Sequence, residues 1–345
     1  MHLHSISAIR SSMKGRPFLR TTLTMSTQMF AEHQRRTLIM HQKKLSALPF
    51  EGMSPHRERV ANPPHAMAWR ILTAVSRMRW KRSVLLWMRF AANPPLTLAW
   101  WRWMAAFAAS RGYPLPHDDL LQKPLSKFLV YGLSGSQRLR LLIDHFTIAE
   151  TILSRDSMIR LWSGETIDMG EVHGRNDTYS CRLVLADRCG GRHEGAFGIE
   201  LVRTRDNAAL CTVRFTFVRD SAGQGYTFVV GSLQGPRNAK RLMVETTRDL
   251  SGLRPKEAVL MVLQGLAAEG NARHFRAISQ AKHPILYRRS RRQSMLLSNI
   301  DGFWCERCGE PDDTYGFVVP YSQIDRSDRR NASKSQFNRV GELFC

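Results

Sequence analysis

Four short runs of aromatic and β-branched residues restrict the fold more than any other feature of this sequence. They cover residues 179–186, 197–204, 210–218 and 226–232. Each run has the length and composition of a strand. Their connections are short and contain Gly, Asn or Asp, which favours hairpins and therefore antiparallel neighbours. The sequence thus predicts an antiparallel sheet in this part of the chain.

The last of these runs leads into a turn and two helices. Residues 231–236 contain two glycines and a proline, which predicts that the strand breaks at Gly231. One helix is predicted over residues 237–250, and Gly252 suits the left-handed conformation that ends a helix. A second helix is predicted over residues 255–269, because a proline at its first position is tolerated there.

Two further strands are predicted, at residues 274–278 and 315–319. A helix between two strands favours a right-handed crossover, which makes 226–232 and 274–278 parallel neighbours. The predicted fold class is α+β, with an N-terminal helical section packed on a mixed, largely antiparallel sheet with crossover helices. We expect residues 66–155 to form the helical section and residues 156–345 the α+β part, packed together as one unit.

Charge is concentrated in the N-terminal half. Residues 1–65 are polar and basic, and we expect a disordered tail or the product of a start codon assigned too early. The net charge is +22, and residues 1–150 hold 22 Lys/Arg against 7 Asp/Glu. This excess favours attraction to an anionic membrane surface, nucleic acid or an acidic partner; the alternative is a proteome that is generally rich in arginine. The basic run 288–292 lacks a recognised nucleic-acid motif, so nucleic acid is not the expected partner.

No stretch of the sequence has the about 20 mostly apolar residues that a membrane-spanning helix needs. The chain has six cysteines and no convincing secretion signal, which predicts reduced thiols. We therefore expect a cytoplasmic protein, which could lie peripherally at the inner membrane.

Six of the eight tryptophans lie between Met67 and Phe107, interleaved with Lys and Arg. Asn93, which precedes two prolines, predicts a break between two helices. Trp80, Leu85 (with Val84 beside it) and Trp87 do not form a clean narrow stripe, so either one helix face is broad or two partners share it. Either the tryptophans pack the helices on the main domain, or the helices lie in a membrane interface with their cations on anionic lipid. Packing is the favoured interpretation.

A second helical block is predicted over residues 120–153, with many apolar side chains. His145 lies in its middle. A lone histidine in such a block is interpreted as a hydrogen-bonded, partly buried side chain rather than a ligand.

The strand–turn–helix is the candidate ligand site, because a helix N-terminus has unpaired N–H groups and favours negative charge. Its candidate phosphate-binding residues are Gly231, Gln234, Gly235 and Arg237. The arrangement resembles the pyrophosphate site of GNAT-type acyltransferases, although Arg237 stands where they have a glycine and Pro236 removes one N–H donor. The sequence has no Walker or GxGxxG motif, so nucleotide-hydrolase and dinucleotide sites have no support. A tight structural turn is the alternative.

Two cations and two acids extend this candidate site. Arg254 and Lys256 could pair a phosphate or carboxylate, or they belong to a helix–helix corner with a surface salt bridge. Glu194 and Asp301 are candidate general bases, provided that they face the same cleft as Gln234.

Cys305 and Cys308 have the spacing of half a zinc site. A complete site needs two more ligands at comparable spacing, and the other cysteines are scattered. We therefore predict no metal.

Several blocks of the sequence resemble the bacterial VirK/YbjX family. The signature blocks are 230–235 (VGSLQG) and 252–256 (GLRPK). Supporting blocks are Lys123-Pro124, Asp144-His145-Phe146, Glu194-Gly195, residues 301–304 (DGFW) and Val319-Pro320. The resemblance runs from about Trp80 to the C-terminus. It implies a role in virulence, envelope function, antimicrobial-peptide resistance and stress or DNA-damage responses, with no settled molecular activity.

Two functional hypotheses follow. The first is a VirK/YbjX-like accessory protein that supports the envelope under stress and needs no cofactor; the resemblance implies an anionic membrane surface or an envelope protein as its partner. The second is an acyltransferase-like enzyme that binds acyl-CoA or another phosphate-bearing donor at residues 231–240. An enzyme requires a deep cleft that joins Gln234 to Glu194 or Asp301, whereas an accessory protein can leave the turn filled.

Overall fold

The computed structural model describes residues 80–123, 127–220, 225–287, 299–323 and 329–344, together with Thr73. Its helices are α1 (Trp80–Ala92), α2 (Pro94–Arg111), α3 (Asp118–Leu121), α4 (Gly135–Ile152), α5 (Arg155–Trp162), α6 (Lys240–Asp249), α7 (Pro255–Leu266), α8 (Ile300–Cys305) and α9 (Arg329–Phe344). Its strands are β1 (Ile167–His173), β2 (Thr178–Leu185), β3 (Phe197–Arg203), β4 (Ala208–Arg219), β5 (Tyr226–Gln234), β6 (His274–Ile278), β7 (Glu310–Asp312) and β8 (Gly316–Pro320). The predicted tail 1–65 and basic run 288–292 lie outside the described residues.

The strands form one mixed sheet in the order β1-β2-β3-β4-β5-β6-β8-β7. Neighbours from β1 to β5 are antiparallel, as are β6 with β8 and β8 with β7. The predicted α+β class and the predicted antiparallel core are therefore confirmed. The strands β1 and β7 were not predicted, and neither were the helices α5 and α9.

The pair β5 and β6 is parallel, as the crossover through α6 and α7 predicts. It is a short pair, since the register joins only Val229 to Arg276 and Val230 to Ala277. Past Val230, β5 continues to Gln234 beside β4 alone. The sheet therefore opens on one side of β5 towards its carboxyl end.

The predicted break at Gly231 is wrong, because β5 continues through this residue to Gln234. The register on β4 shifts there: Arg214 pairs with Ser232, whereas Phe215 pairs with Val230. Gly231 is thus the extra residue of a β-bulge, which bends the strand without ending it. The helix that follows is also shorter than predicted, and it begins at Lys240 instead of residue 237.

In the helical section, two buried tryptophans fasten α2 to the chain beyond it. The indole N–H of Trp100 donates to the carbonyl of Leu120 (2.9 Å), and that of Trp101 donates to Leu121 (3.1 Å). Both side chains are buried, so the packing interpretation is correct for α2. The helix begins after Asn93, whose side chain accepts from the Leu96 N–H, at the predicted break.

The tryptophans of α1 are different, because Trp80 is 71% exposed and Trp87 47% exposed. With Val84 and Met88 they recur at helical spacing and share one face of α1. Leu85 is 41% exposed and lies outside this face, which agrees with the prediction that Trp80, Leu85 and Trp87 form no clean narrow stripe. Leu85, which lies beside Val84 in the sequence, projects from a neighbouring part of the helix surface.

The predicted helical block 120–153 is interrupted. The chain leaves α3 at Gln122 and re-enters a helix only at Gly135. Ser134 caps α4 by accepting from the Gln137 N–H, while the Gln137 side chain accepts from the Ser134 N–H. This capping box fixes the start of α4, and α4 then packs on β4.

His145 of α4 supplies a hydrogen bond that the sheet lacks. Its Nδ1 accepts from the Phe217 N–H at 3.0 Å. Phe217 lies on β4 two residues beyond Phe215, which pairs with Phe197, the first residue of β3. The ring is fully buried among four phenylalanines, which include Phe197 and Phe217. The predicted structural role of His145 agrees with this geometry. An accepting Nδ1 requires the neutral tautomer with the proton on Nε2.

Burial, together with the charge of Lys123, lowers the pKa of His145 well below its ordinary value. Because the folded state disfavours the proton, His145 adds stability above the unfolded pKa of about 6.5, and this is lost as pH falls. We expect a loss of up to about 1.4 kcal/mol of unfolding free energy per pH unit below that value.

The variant His145→Asn tests this role, because it keeps an acceptor at the same place but does not titrate. In denaturant unfolding from pH 7 to pH 5, the unfolding free energy of the wild type should therefore fall towards that of the variant. If the unfolding free energies of the two proteins changed with pH in parallel, this role of His145 would be contradicted.

The C-terminal helix α9 packs on α7 and β1. The contact is close, since a Cβ on Gly265 would lie 2.0 Å from the carbonyl oxygen of Asn338. A Cβ on Gly341 would lie 2.1 Å from the carbonyl oxygen of Val262. The two glycines therefore let the helix backbones touch. No helix among the described residues is both long and apolar enough to cross a bilayer.

Candidate functional site

A cleft of about 1030 Å³ opens at the carboxyl end of β5. Its wall is formed by the end of β5, α6, the start of α7 and α8. The sequence-predicted residues that line it are Gln234, Gly235, Arg237, Arg254 and Lys256. The structure therefore brings five of the six predicted ligand-binding residues to one place, although they come from segments about 20 residues apart.

The cleft carries a strong positive charge. Five cations line it, namely Arg237, Lys240, Arg248, Arg254 and Lys256, against the single acid Glu306. Arg254 lies 3.9 Å from Glu306, and both side chains are more than 60% exposed, so this ion pair is weak. Within the described residues, Arg237 and Lys240 form no ion pair. Their charge is available to an anion that enters the cleft.

Part of the cleft lining is apolar. Leu233, Met243 and Phe303 belong to this part, with Leu210 and Val244 beside them. Two cations lie over the ring of Phe303: the guanidinium of Arg307 is 3.5 Å and the ammonium of Lys256 is 5.4 Å from its centroid. A ligand that fits this cleft has both an anionic and an apolar part.

Helix α6 begins at the cleft and is held in place at its other end. Asp249 accepts from the Tyr179 hydroxyl (2.7 Å) and from the backbone N–H of Asn176 (2.7 Å), which joins α6 to the start of β2. At its start, Ala239 has no side chain that could accept a hydrogen bond. The first N–H groups of α6 therefore lack a side-chain cap beside Arg237 and Lys240.

Glu194 lies next to the wall of the cleft. Its Oε2 accepts from the Arg214 guanidinium (2.9 Å), the Ser232 hydroxyl (2.7 Å) and the Gln234 amide (3.3 Å). Its Oε1 faces His283 Nε2 at 3.9 Å. The Nδ1 of His283 accepts from a backbone N–H, so Nε2 is the nitrogen that carries the proton in the neutral ring. Glu194 thus contacts Gln234, but it is not itself among the residues that line the cleft, so the condition that it faces the same cleft stays a prediction.

Asp301 is placed differently. It lies on α8, and its Oδ1 accepts from the backbone N–H of Gln280 at 2.8 Å. Its neighbours Gly302 and Phe303 line the cleft, while Trp304 is fully buried. Asp301 therefore joins α8 to the segment after β6, and Glu194 is the acid that contacts Gln234.

Gly231, the sixth predicted residue, packs against Glu194. A Cβ at this position would lie 1.7 Å from the carbonyl oxygen of Glu194. The absence of a side chain lets the backbone that carries Glu194 approach the bulge of β5. Gly231 thus positions Glu194 rather than lining the cleft.

The cysteines fall into two groups. Burial raises the pKa of Cys181 and of Cys211 to about 12, so both thiols stay protonated and unreactive at neutral pH. Cys305 and Cys308 are exposed at the end of α8 and in the turn that follows. No group of three or more potential metal ligands occurs among the described residues.

A family model described as "Protein of unknown function (DUF535)" matches residues 76–334. The chain belongs to this family. DUF535 is the VirK/YbjX family, so the resemblance carried by residues 230–235 and 252–256 is confirmed. No curated protein and no solved structure matches the chain.

Within this DUF535 chain, sequence reasoning missed part of the surroundings of the site. Arg214, Ser232 and His283 hold Glu194, yet none was a candidate, because pairing between strands and loops is not visible in a sequence without an alignment. Phe303 was not a candidate either, and it lies on the short helix α8 and lines the cleft. A signal did exist for Ser232, since it is a polar residue inside a run that otherwise reads as a buried strand.

Proposed function

We propose that this DUF535 protein is an acyltransferase-like enzyme whose cleft binds acyl-CoA or another phosphate-bearing acyl donor. One observation carries the proposal: Gln234, Gly235, Arg237, Arg254 and Lys256 line a single large cleft, with Glu194 in contact with Gln234. A filled turn would have favoured the accessory hypothesis. A cleft of this size is in the range of small-molecule and cofactor sites.

The positive charge and the apolar residues of the cleft lining suit the two parts of such a donor. Phosphates favour the cations Arg237 and Lys240 together with the uncapped N–H groups of α6. The apolar residues of the same lining, such as Met243 and Phe303, suit a pantetheine or acyl chain. Inorganic phosphate alone would use only the first of these surfaces.

Glu194 is the proposed general base. In the proposed reaction a hydroxyl or amine of the acceptor attacks the thioester carbon, the carbon–sulfur bond breaks, and the Glu194 carboxylate takes the acceptor proton. The released thiolate then receives a proton from solvent. Arg214 and Ser232 would hold the carboxylate in position, while Gln234 connects it to the cleft.

The double change Arg237→Gln with Lys240→Gln is expected to weaken CoA binding at least tenfold, because hydrogen bonds to charged groups contribute about 1.5–3 kcal/mol each. At a CoA concentration of about 100 times Kd, the wild type should melt about 4 °C higher than without ligand. A variant that binds tenfold more weakly should lose about half of this shift, and one that binds about a hundredfold more weakly should lose most of it. The matched control is Arg241→Gln, since Arg241 lies on the same helix, is 94% exposed and pairs with Glu245.

The thermal measurement also separates binding from catalysis. Glu194→Gln keeps the hydrogen-bonding shape but not the base, so CoA should still raise the melting temperature while acyl transfer, followed as thiol release, is lost. Equal CoA shifts in the wild type and the double variant, or no shift in the wild type, would overturn the proposed donor site.

A second candidate function rests on family membership. The VirK/YbjX resemblance favours an accessory role in the envelope, in virulence, and under antimicrobial-peptide or DNA-damage stress. In this case the cleft would serve that role by binding a ligand without turnover. Survival of a deletion strain in a cationic peptide, rescued by the wild type and by Glu194→Gln alike, would favour this function over the enzyme.

A further inference from the structure

A stripe of exposed apolar residues runs along α1, outside the proposed cleft. We define it as the α1 stripe, made of Trp80, Val84, Trp87, Met88 and Ala91. These positions are spaced by 4, 3, 1 and 3 residues, so they lie on one face of the helix. All five residues are exposed. The exposed fraction of the four large side chains ranges from 47% for Trp87 to 71% for Trp80.

The other side of α1 explains why the stripe faces outward. Leu86 is buried, and Phe90 stacks on Trp101 of α2 with ring centroids 5.6 Å apart. Helix α1 is therefore already packed on the body of the protein by residues that do not belong to the stripe. Two exposed tryptophans on a packed helix are not explained by the core of this chain.

The charge around the stripe has one sign. From residue 60 to residue 117 the sequence contains no Asp or Glu. The same stretch contains Arg70, Arg77, Arg79, Lys81, Arg82, Arg89, Arg102 and Arg111. The ammonium of Lys81 lies 5.6 Å from the centre of the Trp80 ring, so a cation adjoins the exposed indole.

We propose that the α1 stripe docks on the surface of an anionic lipid bilayer. Indole rings favour the headgroup level, and neighbouring Lys and Arg favour anionic lipids, so one surface satisfies both properties. A second copy of this chain suits the stripe less well, because it would bring two acid-free, basic segments together. The helix would lie in the interface plane, since no described helix can span a bilayer.

The test uses the full-length chain and sedimentation with vesicles. We expect binding to vesicles that contain phosphatidylglycerol, weak binding to pure phosphatidylcholine, and release from the former as salt rises. Trp80→Ser with Trp87→Ser should reduce binding to the anionic vesicles by about tenfold or more, because both apolar rings leave the interface. Leu343→Ser is the control, since Leu343 is 72% exposed on α9.

The outcomes are distinct. A blue shift of the tryptophan fluorescence on anionic vesicles, lost in the double variant, would support docking by Trp80 and Trp87; Trp100 is buried and should not contribute. The same loss of binding for Leu343→Ser as for the double variant, or no binding to anionic vesicles at all, would overturn the proposal. So would a dimer of the wild type that the double variant abolishes, because the stripe would then bind a second copy. Melting temperatures of the free variants close to that of the wild type show that loss of binding is not loss of fold.

Discussion

The variant Gly231→Ala is expected to lose about 3 kcal/mol or more of unfolding free energy. The added Cβ would lie 1.7 Å from the carbonyl oxygen of Glu194 and 3.0 Å from the Leu129 side chain. The nearer contact is with backbone, so it cannot be relieved by a rotamer change. Overpacking of a close-packed interior costs typically about 1–3 kcal/mol, and a clash of backbone with a buried strand lies at the upper end.

Gly235→Ala is the matched control, since it adds the same methyl group four residues further along. A Cβ there would have its nearest neighbour, the Leu210 carbonyl oxygen, at an ordinary contact distance of 3.4 Å. We expect this variant to remain within about 1 kcal/mol of the wild type. Urea unfolding of both variants measures the difference. Equal stabilities would mean that Gly231 does not position Glu194, and the bulge of β5 would need another explanation.

The variant Lys123→Met should lose about 3 kcal/mol or more of unfolding free energy. The Lys123 ammonium pairs with Asp187 and donates to the carbonyl of Gly195 (2.8 Å), and both charged side chains are almost fully buried. Methionine keeps most of the apolar stem, but among the described residues it leaves the Asp187 carboxylate with only the partly exposed Arg192 at 3.2 Å. Removing one partner of a buried ion pair costs about 3–5 kcal/mol, mainly because the remaining charge is buried without compensation.

This explanation predicts a recovery in a second variant. Adding Asp187→Asn to Lys123→Met removes the buried charge, so part of the lost stability should return. The surface variant Arg241→Met breaks an exposed pair instead and should change stability by less than about 0.5 kcal/mol. Denaturant unfolding of these variants tests the prediction. A double variant less stable than Lys123→Met would show that Asp187 has a role besides pairing with Lys123.

The periodic parts of the fold could be predicted from the sequence. Strand β6 was placed at its observed bounds, and the two helices around Asn93 and the antiparallel strands β2 to β5 were recognised, because local periodicity and turn residues determine them. The end of β5 was predicted wrongly, since a glycine in a strand can mark either a turn or a bulge. Only the pairing of Ser232 with Arg214 distinguishes the two.

In the candidate site, too, the locally determined features could be predicted, whereas the contacts between distant segments could not. The cations Arg237 and Arg254 were recognisable because each adjoins a turn or a helix start. Their convergence on one cleft depends on the packing of α6, α7 and α8, which no local pattern contains. The contact between Glu194 and Gln234 likewise joins residues that are 40 positions apart.

The most direct test of the central claim is a methyl NMR titration of the wild-type protein with CoA. Met243 lines the cleft on α6, whereas Met88 belongs to the exposed stripe of α1, and both carry a methyl group that can be labelled. The proposed site predicts that the Met243 signal, assigned with Met243→Leu, moves and saturates as CoA is added, while the Met88 signal stays in place. A Met243 signal that does not move at saturating CoA, or a shift confined to Met88, would contradict a donor site at the end of β5.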